Sequence, residues 1–110
     1  MQIIFDDQAA EQLSKNQTIL ELETFDVGGI QRTAYCVIPA DRIPLQDLTM
    51  LENLRELHAA YVRALSTDDL KLCTDIAEHL IGRFSGEMDS FYTETLARLQ
   101  RTAETLTSNQ

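Results

Sequence analysis

The spacing of apolar residues divides this chain of 110 residues into two parts. Up to residue 39 the apolar residues come in short runs bounded by Gly, Asp or Pro, a pattern that is typical of β-strands. From residue 45 to residue 107 they recur every three or four positions, which predicts amphipathic helices. We therefore expect a single α+β domain over residues 1–110, with a β-rich part at 1–39 and a helical part at 45–107.

The β-rich part is expected to begin with a short strand and to continue into a long β-hairpin. The apolar run at residues 2–5 predicts the strand, and Asp6 and Asp7 after it can cap a brief helix. Two β-prone runs at residues 18–27 and 30–38 are separated only by a Gly-Gly dipeptide, which favours a two-residue hairpin turn.

A two-residue turn also determines which residues of the hairpin lie opposite one another. The predicted pairs are Val27 with Ile30, Phe25 with Arg32, Leu22 with Tyr35, and Leu20 with Val37. In this register the apolar residues occupy one face near the open end and the other face near the tip. Such a hairpin must twist strongly, contain a β-bulge, or present its tip to another molecule. We predict an interaction surface at the tip, formed by Phe25, Val27 and Ile30.

The helical part is expected to form an antiparallel bundle of two to three helices packed on the hairpin. The first helix is predicted at 45–65, and Ser66 with Asp69 resembles a capping box that starts the second. The apolar stripe of the second helix continues in phase across Gly86, so residues 67–106 could form one helix or two. We expect a break at Gly86, because a single helix of that length would project beyond a domain of this size.

The charge of the chain restricts its possible partners. Nine Lys and Arg against 18 Asp and Glu give a formal net charge of −9 at pH 7. This charge repels nucleic-acid phosphates and anionic lipid head groups, so we expect no direct binding to nucleic acid or to membranes. A protein with a basic surface is the expected partner. The N-terminal residues lack the features of a signal peptide, and no apolar run is long enough for a membrane span, so we expect a cytoplasmic location.

Two histidines suggest alternative functions. His58 lies on the apolar side of the first long helix, where it could act in a pocket between hairpin and helices together with Tyr35 or Tyr61. Asp75 and His79 are four residues apart on the exposed side of the second helix and could supply two ligands to a divalent metal. The structural alternatives are a core histidine bonded to a carbonyl or a tyrosine, and a solvated pair on a helix surface.

The two cysteines are expected to be reduced and unreactive. Cys36 and Cys73 do not form a CxxC motif, and a chain of this size does not need a disulfide. Cys73 lies on the inward side of the second helix, where burial raises a thiol pKa. Cys36 is expected on the hairpin face that carries Glu21 and Glu23, whose carboxylates would disfavour its thiolate.

No motif for a catalytic or cofactor site is found in the sequence. It lacks a P-loop, GxGxxG, GxSxG, HExxH and four-ligand zinc spacings, so we predict no catalytic residue, no cofactor and no metal. The interpretation is a small acidic protein-interaction module without enzyme activity, such as an adaptor, an inhibitor or a dedicated chaperone, and we expect it to be a homodimer. A small enzyme or ligand-binding protein using His58, and a metal-responsive regulator using Asp75 and His79, are the alternatives.

Overall fold

The structure, a computed structural model, describes residues 2–108. The elements of the β-rich part are strand β1 (Gln2–Ile4), helix α1 (Asp7–Leu13), and strands β2 (Thr18–Val27) and β3 (Ile30–Ile38). Among the described residues the three strands form one antiparallel sheet in the order β1-β3-β2, which makes β2 an edge strand. The predicted short strand and the long hairpin are confirmed.

The helical part contains helices α2 (Leu45–Leu48), α3 (Leu51–Ser66), α4 (Leu70–Leu80) and α5 (Asp89–Ser108). The expected break is therefore confirmed, because α4 and α5 are separate helices. The prediction of one helix over 45–65 is wrong, because the helix is interrupted between α2 and α3. Met50 leaves helical geometry there, with φ of −113° and ψ of 10°, and the Thr49 hydroxyl donates to the Gln46 carbonyl at 2.8 Å.

The connection between α3 and α4 is short, and the two helices form an antiparallel pair. The cap of α4 is Asp69, whose carboxylate accepts the N–H of Leu72 at 3.1 Å. Ser66 is instead the last residue of α3, and its hydroxyl donates to the Arg63 carbonyl at 2.6 Å. The predicted capping box is wrong, because Ser66 still belongs to the preceding helix.

The hairpin turn has the geometry that its sequence predicts. Gly28 and Gly29 have φ of 61° and 87°, which fits a type I′ turn, where both central residues need positive φ. The Asp26 carboxylate accepts the N–H of Gly29 at 2.9 Å. The strands leave the turn in the predicted register, with Val27 opposite Ile30.

A β-bulge in β2 changes the register beyond the tip. The pairing shifts by one residue between Glu21 and Thr24, so that Leu22 and Glu23 together lie opposite Ala34. The predicted pairs Leu22 with Tyr35 and Leu20 with Val37 are therefore wrong, and the observed pairs are Glu21 with Tyr35 and Leu20 with Cys36. Of the three possibilities raised by the sequence, a bulge is present.

The bulge collects the apolar residues of the hairpin on one face. A shift of one residue reverses the face of every position beyond it, so the core residues near the open end share a face with Phe25, Val27 and Ile30. The buried residues on this face are Leu20, Leu22, Ala34, Cys36 and Ile38. Tyr35 lies on the opposite face, where its hydroxyl donates to the Asp7 carboxylate at 2.8 Å.

One cluster of buried side chains joins the sheet to α3, α4 and α5. Its largest fully buried members include Tyr61, Phe84 and Tyr92. The Tyr61 and Tyr92 rings meet edge to face, with centroids 4.9 Å apart. Across residues 2–108 no helix has both the length and the apolar character needed to cross a membrane.

Candidate functional site

The three residues predicted to form an interaction surface lie together at the hairpin tip and are exposed. Phe25, Val27 and Ile30 retain 45%, 61% and 60% of their accessible surface. The tip is braced across the strands by a hydrogen bond of 2.9 Å between the hydroxyls of Thr24 and Thr33. These apolar side chains are thus presented on an ordered turn and not on a loop.

Phe5 extends this surface beyond the hairpin. Its side chain is 52% exposed, and Phe5 and Ile30 line the same shallow cleft of about 220 Å³. Together with Phe25 and Val27 they form what we call the apolar tip. In the sequence Phe5 stands at the end of the apolar run at residues 2–5, a pattern that predicts a strand but not an exposed surface.

Three carboxylates lie near the apolar tip, and that of Asp7 is on the sheet face that carries Tyr35. Asp6 and Asp7 line the cleft beside Phe5, and Asp26 belongs to the hairpin turn. Their carboxylates are held in place, since Asp6 accepts the N–H of Gln8 at 2.9 Å and Asp7 accepts the Tyr35 hydroxyl. Arg32 is the basic residue of the cleft. The border of the apolar tip is therefore predominantly acidic.

A second concave feature lies between the edge strand β2 and helix α3, and we call it the β2–α3 groove. Its volume is about 550 Å³. One wall is residues 19–24 of β2, and the other wall is formed by α3. The lining residues of α3 are Arg55, His58, Ala59, Val62, Arg63, Leu65 and Ser66.

His58 lies at the inner side of this groove and is bonded through both ring nitrogens. The side chain is 2% exposed, with Nδ1 at 2.8 Å from the Tyr92 hydroxyl and Nε2 at 2.5 Å from the Glu21 carbonyl. A carbonyl can only accept, so Nε2 carries the proton and donates to Glu21. Nδ1 then accepts from the Tyr92 hydroxyl. Burial lowers the pKa of His58 and favours this neutral form.

The tyrosines predicted to act with His58 are engaged elsewhere. Tyr35 lies on the opposite face of the sheet and is bonded to Asp7. Tyr61 lies in the same aromatic cluster as Tyr92, but its hydroxyl bonds to Thr95 Oγ1 at 2.5 Å. With both nitrogens occupied by protein groups, His58 has no free nitrogen for a substrate. The arrangement matches the structural alternative, a core histidine bonded to a carbonyl and a tyrosine.

Asp75 and His79 are not assembled into a metal site. The Asp75 carboxylate is 3.4 Å from Lys71 Nζ, one turn earlier on α4, and His79 lines a small polar cleft with Glu78 and Arg83. In the part of the chain that the structure describes, no group of three or more His, Cys, Asp or Glu side chains is placed to hold a metal ion.

Both cysteines are free and fully buried, at 0% exposure. Burial raises the pKa of each thiol to about 11. The expected placement of Cys36 beside Glu21 and Glu23 is wrong, because the bulge turns Cys36 to the core face opposite Leu20. The thiolate form of Cys36 is therefore disfavoured mainly because burial removes the water that would solvate its charge.

We predict that both thiols react slowly with Ellman's reagent in the native protein. An increase in pKa from 9.0 to about 11 lowers the thiolate fraction about 100-fold, and burial also blocks access. Modification should be at least 100-fold slower than in concentrated guanidinium chloride, where both cysteines should titrate. Rapid stoichiometric labelling of Cys36 or Cys73 in the folded protein would contradict the buried placement.

Two arginines on the rim of the β2–α3 groove were not identified from the sequence. Arg55 and Arg63 line the groove, and neither forms an ion pair with another described residue, whereas Arg42, Arg83 and Arg98 do. The sequence does contain a signal for this surface of α3. Five residues at helical spacing form a stripe next to the core stripe, namely Arg55, Ala59, Val62, Arg63 and Ser66.

Comparison of the chain with models of protein families, with curated proteins and with solved structures gives no match. The function is therefore argued from the geometry and chemistry of the apolar tip and the β2–α3 groove.

Proposed function

We propose that this chain is a protein-interaction module without enzyme activity, an adaptor, inhibitor or dedicated chaperone, which binds another protein through the apolar tip. The observation that carries the proposal is the joint exposure of Phe25, Val27 and Ile30, at 45%, 61% and 60%. Residues of the same sheet face nearer the open end are buried in the core. Contiguous exposed apolar side chains of this kind are a feature of interaction sites.

The four apolar side chains of the tip can contribute about 4 kcal/mol to binding, and contacts at its border must supply the rest. Full burial of a large apolar side chain contributes about 1.5–3 kcal/mol, so covering a side chain that is half exposed contributes about 1 kcal/mol. The aromatic rings of Phe5 and Phe25 and the branched side chains of Val27 and Ile30 give four such contacts. Because the turn is already ordered, little conformational entropy is lost when they bind.

The acidic border indicates the chemistry of the partner. Asp6 lines the cleft beside Phe5 and Asp26 belongs to the turn, so both would lie near the rim of a pocket that receives the tip, whereas the Asp7 carboxylate is bonded to Tyr35 on the opposite face. A partner with basic residues around an apolar pocket would complement them, and the net charge of −9 would speed its association.

A photo-crosslinking experiment tests the proposal. A benzoylphenylalanine placed at position 27 of the full chain in its source cells should crosslink to a protein, whereas one placed at Leu72 on α4 should not. The crosslinked protein is then purified and its affinity is measured for F25E and for L72E. The two positions are matched, since Phe25 and Leu72 are both 45% exposed.

The expected result is that F25E lowers the affinity at least 30-fold, about 2 kcal/mol, while L72E changes it less than about threefold. Circular dichroism melts should show that both variants remain folded. Equal effects of F25E and L72E, or full affinity in F25E, would exclude the apolar tip as the binding surface.

We also propose that the chain is a homodimer, and a native mass spectrum tests this directly. If F25E is still a dimer, the dimer contact lies elsewhere and the tip is free to bind a different protein. If F25E is a monomer, the tip is the dimer contact. A spectrum of the monomer only would overturn the homodimer. A stoichiometric metal or small-molecule adduct would favour the regulator or the ligand-binding alternative.

A further inference from the structure

The outer edge of β2 is open to pairing along the β2–α3 groove. Within the described residues β2 pairs only with β3, so its other edge carries backbone N–H and C=O groups without a neighbouring strand. The strand is ten residues long and contains neither Pro nor Lys, two residues that often protect such edges, and its β-bulge at Leu22 and Glu23 divides the edge into two segments. Residues 19–24 of this strand form one wall of the groove.

The other wall of the groove leaves room for an extended chain. Ala59 and Ser66 have small side chains, and Val62 between them gives an apolar surface. The Glu21 carbonyl is already bonded by His58, so an added strand would pair with edge groups on either side of this carbonyl. His58 also holds α3 at the edge of β2 and so maintains the groove.

Both arginines and glutamates line the groove. Arg55 and Arg63 line it without an ion pair to any described residue. Of the two glutamates in the lining, Glu21 and Glu23, Glu23 accepts two hydrogen bonds from Arg98 of α5 at 3.2 and 2.7 Å. In a chain of net charge −9, two unpaired arginines beside an open strand edge favour an acidic ligand.

We propose that the β2–α3 groove binds an extended acidic peptide segment of a partner protein, which adds to the free edge of β2 as a further antiparallel or parallel strand. This site is distinct from the apolar tip and does not depend on it. A second copy of the chain would bring the carboxylates of its own β2, but pairing two β2 edges would also bring together two chains of charge −9, so a separate acidic segment is favoured.

The first test is an mRNA-display selection of random linear dodecapeptides on the purified full chain. Enriched peptides are expected to carry carboxylates and alternating apolar residues. Binding of the best synthetic peptide is then measured by fluorescence anisotropy. R55E and R63E should each weaken binding at least tenfold, whereas R101E on α5, which makes the same charge change outside the groove, should weaken it less than threefold.

The second test uses backbone methylation of the same peptide. Along an added strand, alternate N–H groups point toward β2. N-methylation of the residues in one register should therefore abolish binding, and methylation shifted by one residue should leave it within about threefold. Equal effects of the two methylation patterns would exclude strand addition.

Other outcomes also overturn the proposal. One is a selection that enriches no peptide above background, and another is peptide binding that is unchanged in R55E and R63E. A third is peptide binding that is lost in F25E but retained in R55E, which would place the peptide on the apolar tip. F25E should leave binding at the groove unchanged, so failure at one site can be distinguished from failure at the other.

Discussion

Replacing Asp47 with Ala is expected to lower the free energy of unfolding by about 3 kcal/mol. Asp47 is 1% exposed, and its two carboxylate oxygens accept Arg83 Nη1 at 3.1 Å and the N–H of Phe84 at 2.9 Å. Phe84 is fully buried, so the alanine variant would leave its N–H without an acceptor, which costs about 1–3 kcal/mol. Loss of the partly buried ion pair adds to this cost.

The backbone conformation of Phe84, which Asp47 contacts, and of Ser85 increases the expected loss of stability. Phe84 and Ser85 have φ of 53° and 55°, a region that L-residues adopt only when tertiary contacts hold them there. Asp47 is one of these contacts, and another is the Ser85 hydroxyl, which donates to the Arg42 carbonyl at 3.0 Å. Without the Asp47 carboxylate we expect the turn between α4 and α5 to relax, which would loosen the packing of Phe84.

Urea unfolding followed by circular dichroism at 222 nm measures the effect. D47N, which can still accept the Phe84 N–H, should lose only about 1 kcal/mol. D41A removes an exposed carboxylate nearby and should change stability by less than about 0.5 kcal/mol. If D47A were no less stable than D41A, Asp47 would not hold the turn between α4 and α5.

The local elements of this fold could be predicted because short sequence patterns determine them. Gly28 and Gly29 determine the hairpin turn, since both need positive φ. The apolar period determines α3, α4 and α5, and the break before α5 followed from the size of the domain. The exposure of Phe25, Val27 and Ile30 agrees with their placement at the tip of a hairpin that extends beyond the core.

The sequence indicates the bulge only as one of three explanations. In a regular register the apolar residues would lie on one face near the open end of the hairpin and on the other face near its tip, and a strong twist or a binding partner would also account for this pattern. A regular register would put Leu20 and Phe25 on opposite faces and would pair Leu20 with Val37, whereas the inserted residue places Leu20 and Leu22 on the face of Ala34 and Cys36. The burial of Cys36 depends on the same shift. Tertiary packing therefore decided the register of the open end.

Asp47 and the β2–α3 groove could not be identified because they depend on contacts between residues far apart in sequence. Asp47 lies among polar and apolar residues of a short helix and resembles a solvated carboxylate until Phe84 is brought to it. Arg55 and Arg63 resemble the polar side of α3 until β2 is placed beside them. Helical spacing shows which residues share a side of α3, but not which strand lies opposite.

The stability of the protein is expected to fall as the pH is lowered below about 6.5, and His58 is the cause. Burial lowers the pKa of His58 from its ordinary value of 6.5. Between 6.5 and the lowered pKa, the unfolded chain therefore binds a proton that the folded chain does not. Linkage then requires the free energy of unfolding to decrease by up to about 1.4 kcal/mol per pH unit as the pH falls through this interval. The slope is about half its maximum at pH 6.5 and disappears about one pH unit higher, where the unfolded chain also leaves His58 neutral.

The hydrogen bonds of His58 give the structural reason. Protonation would place a hydrogen on Nδ1, which now accepts from the Tyr92 hydroxyl. Tyr92 would then have to rotate its hydroxyl proton away, in surroundings where Tyr92 is 0% exposed. The charge would also lie between Phe91 and Tyr92, whose rings are 6.0 and 5.8 Å from that of His58. Folding therefore favours the neutral imidazole.

The matched variant is H58Q, because glutamine can donate to the Glu21 carbonyl and accept from Tyr92 but does not titrate. Urea unfolding is measured from pH 5 to pH 8 at constant ionic strength by circular dichroism, since the chain has no Trp. The other titrating groups, including Glu87, whose pKa the Arg42 guanidinium lowers, are common to both proteins and cancel in the difference. The stability of wild type relative to H58Q should be constant only above about pH 7.5 and should decrease increasingly as the pH falls through 6.5. Parallel curves for the two proteins over the whole range would mean that His58 is not held neutral by burial.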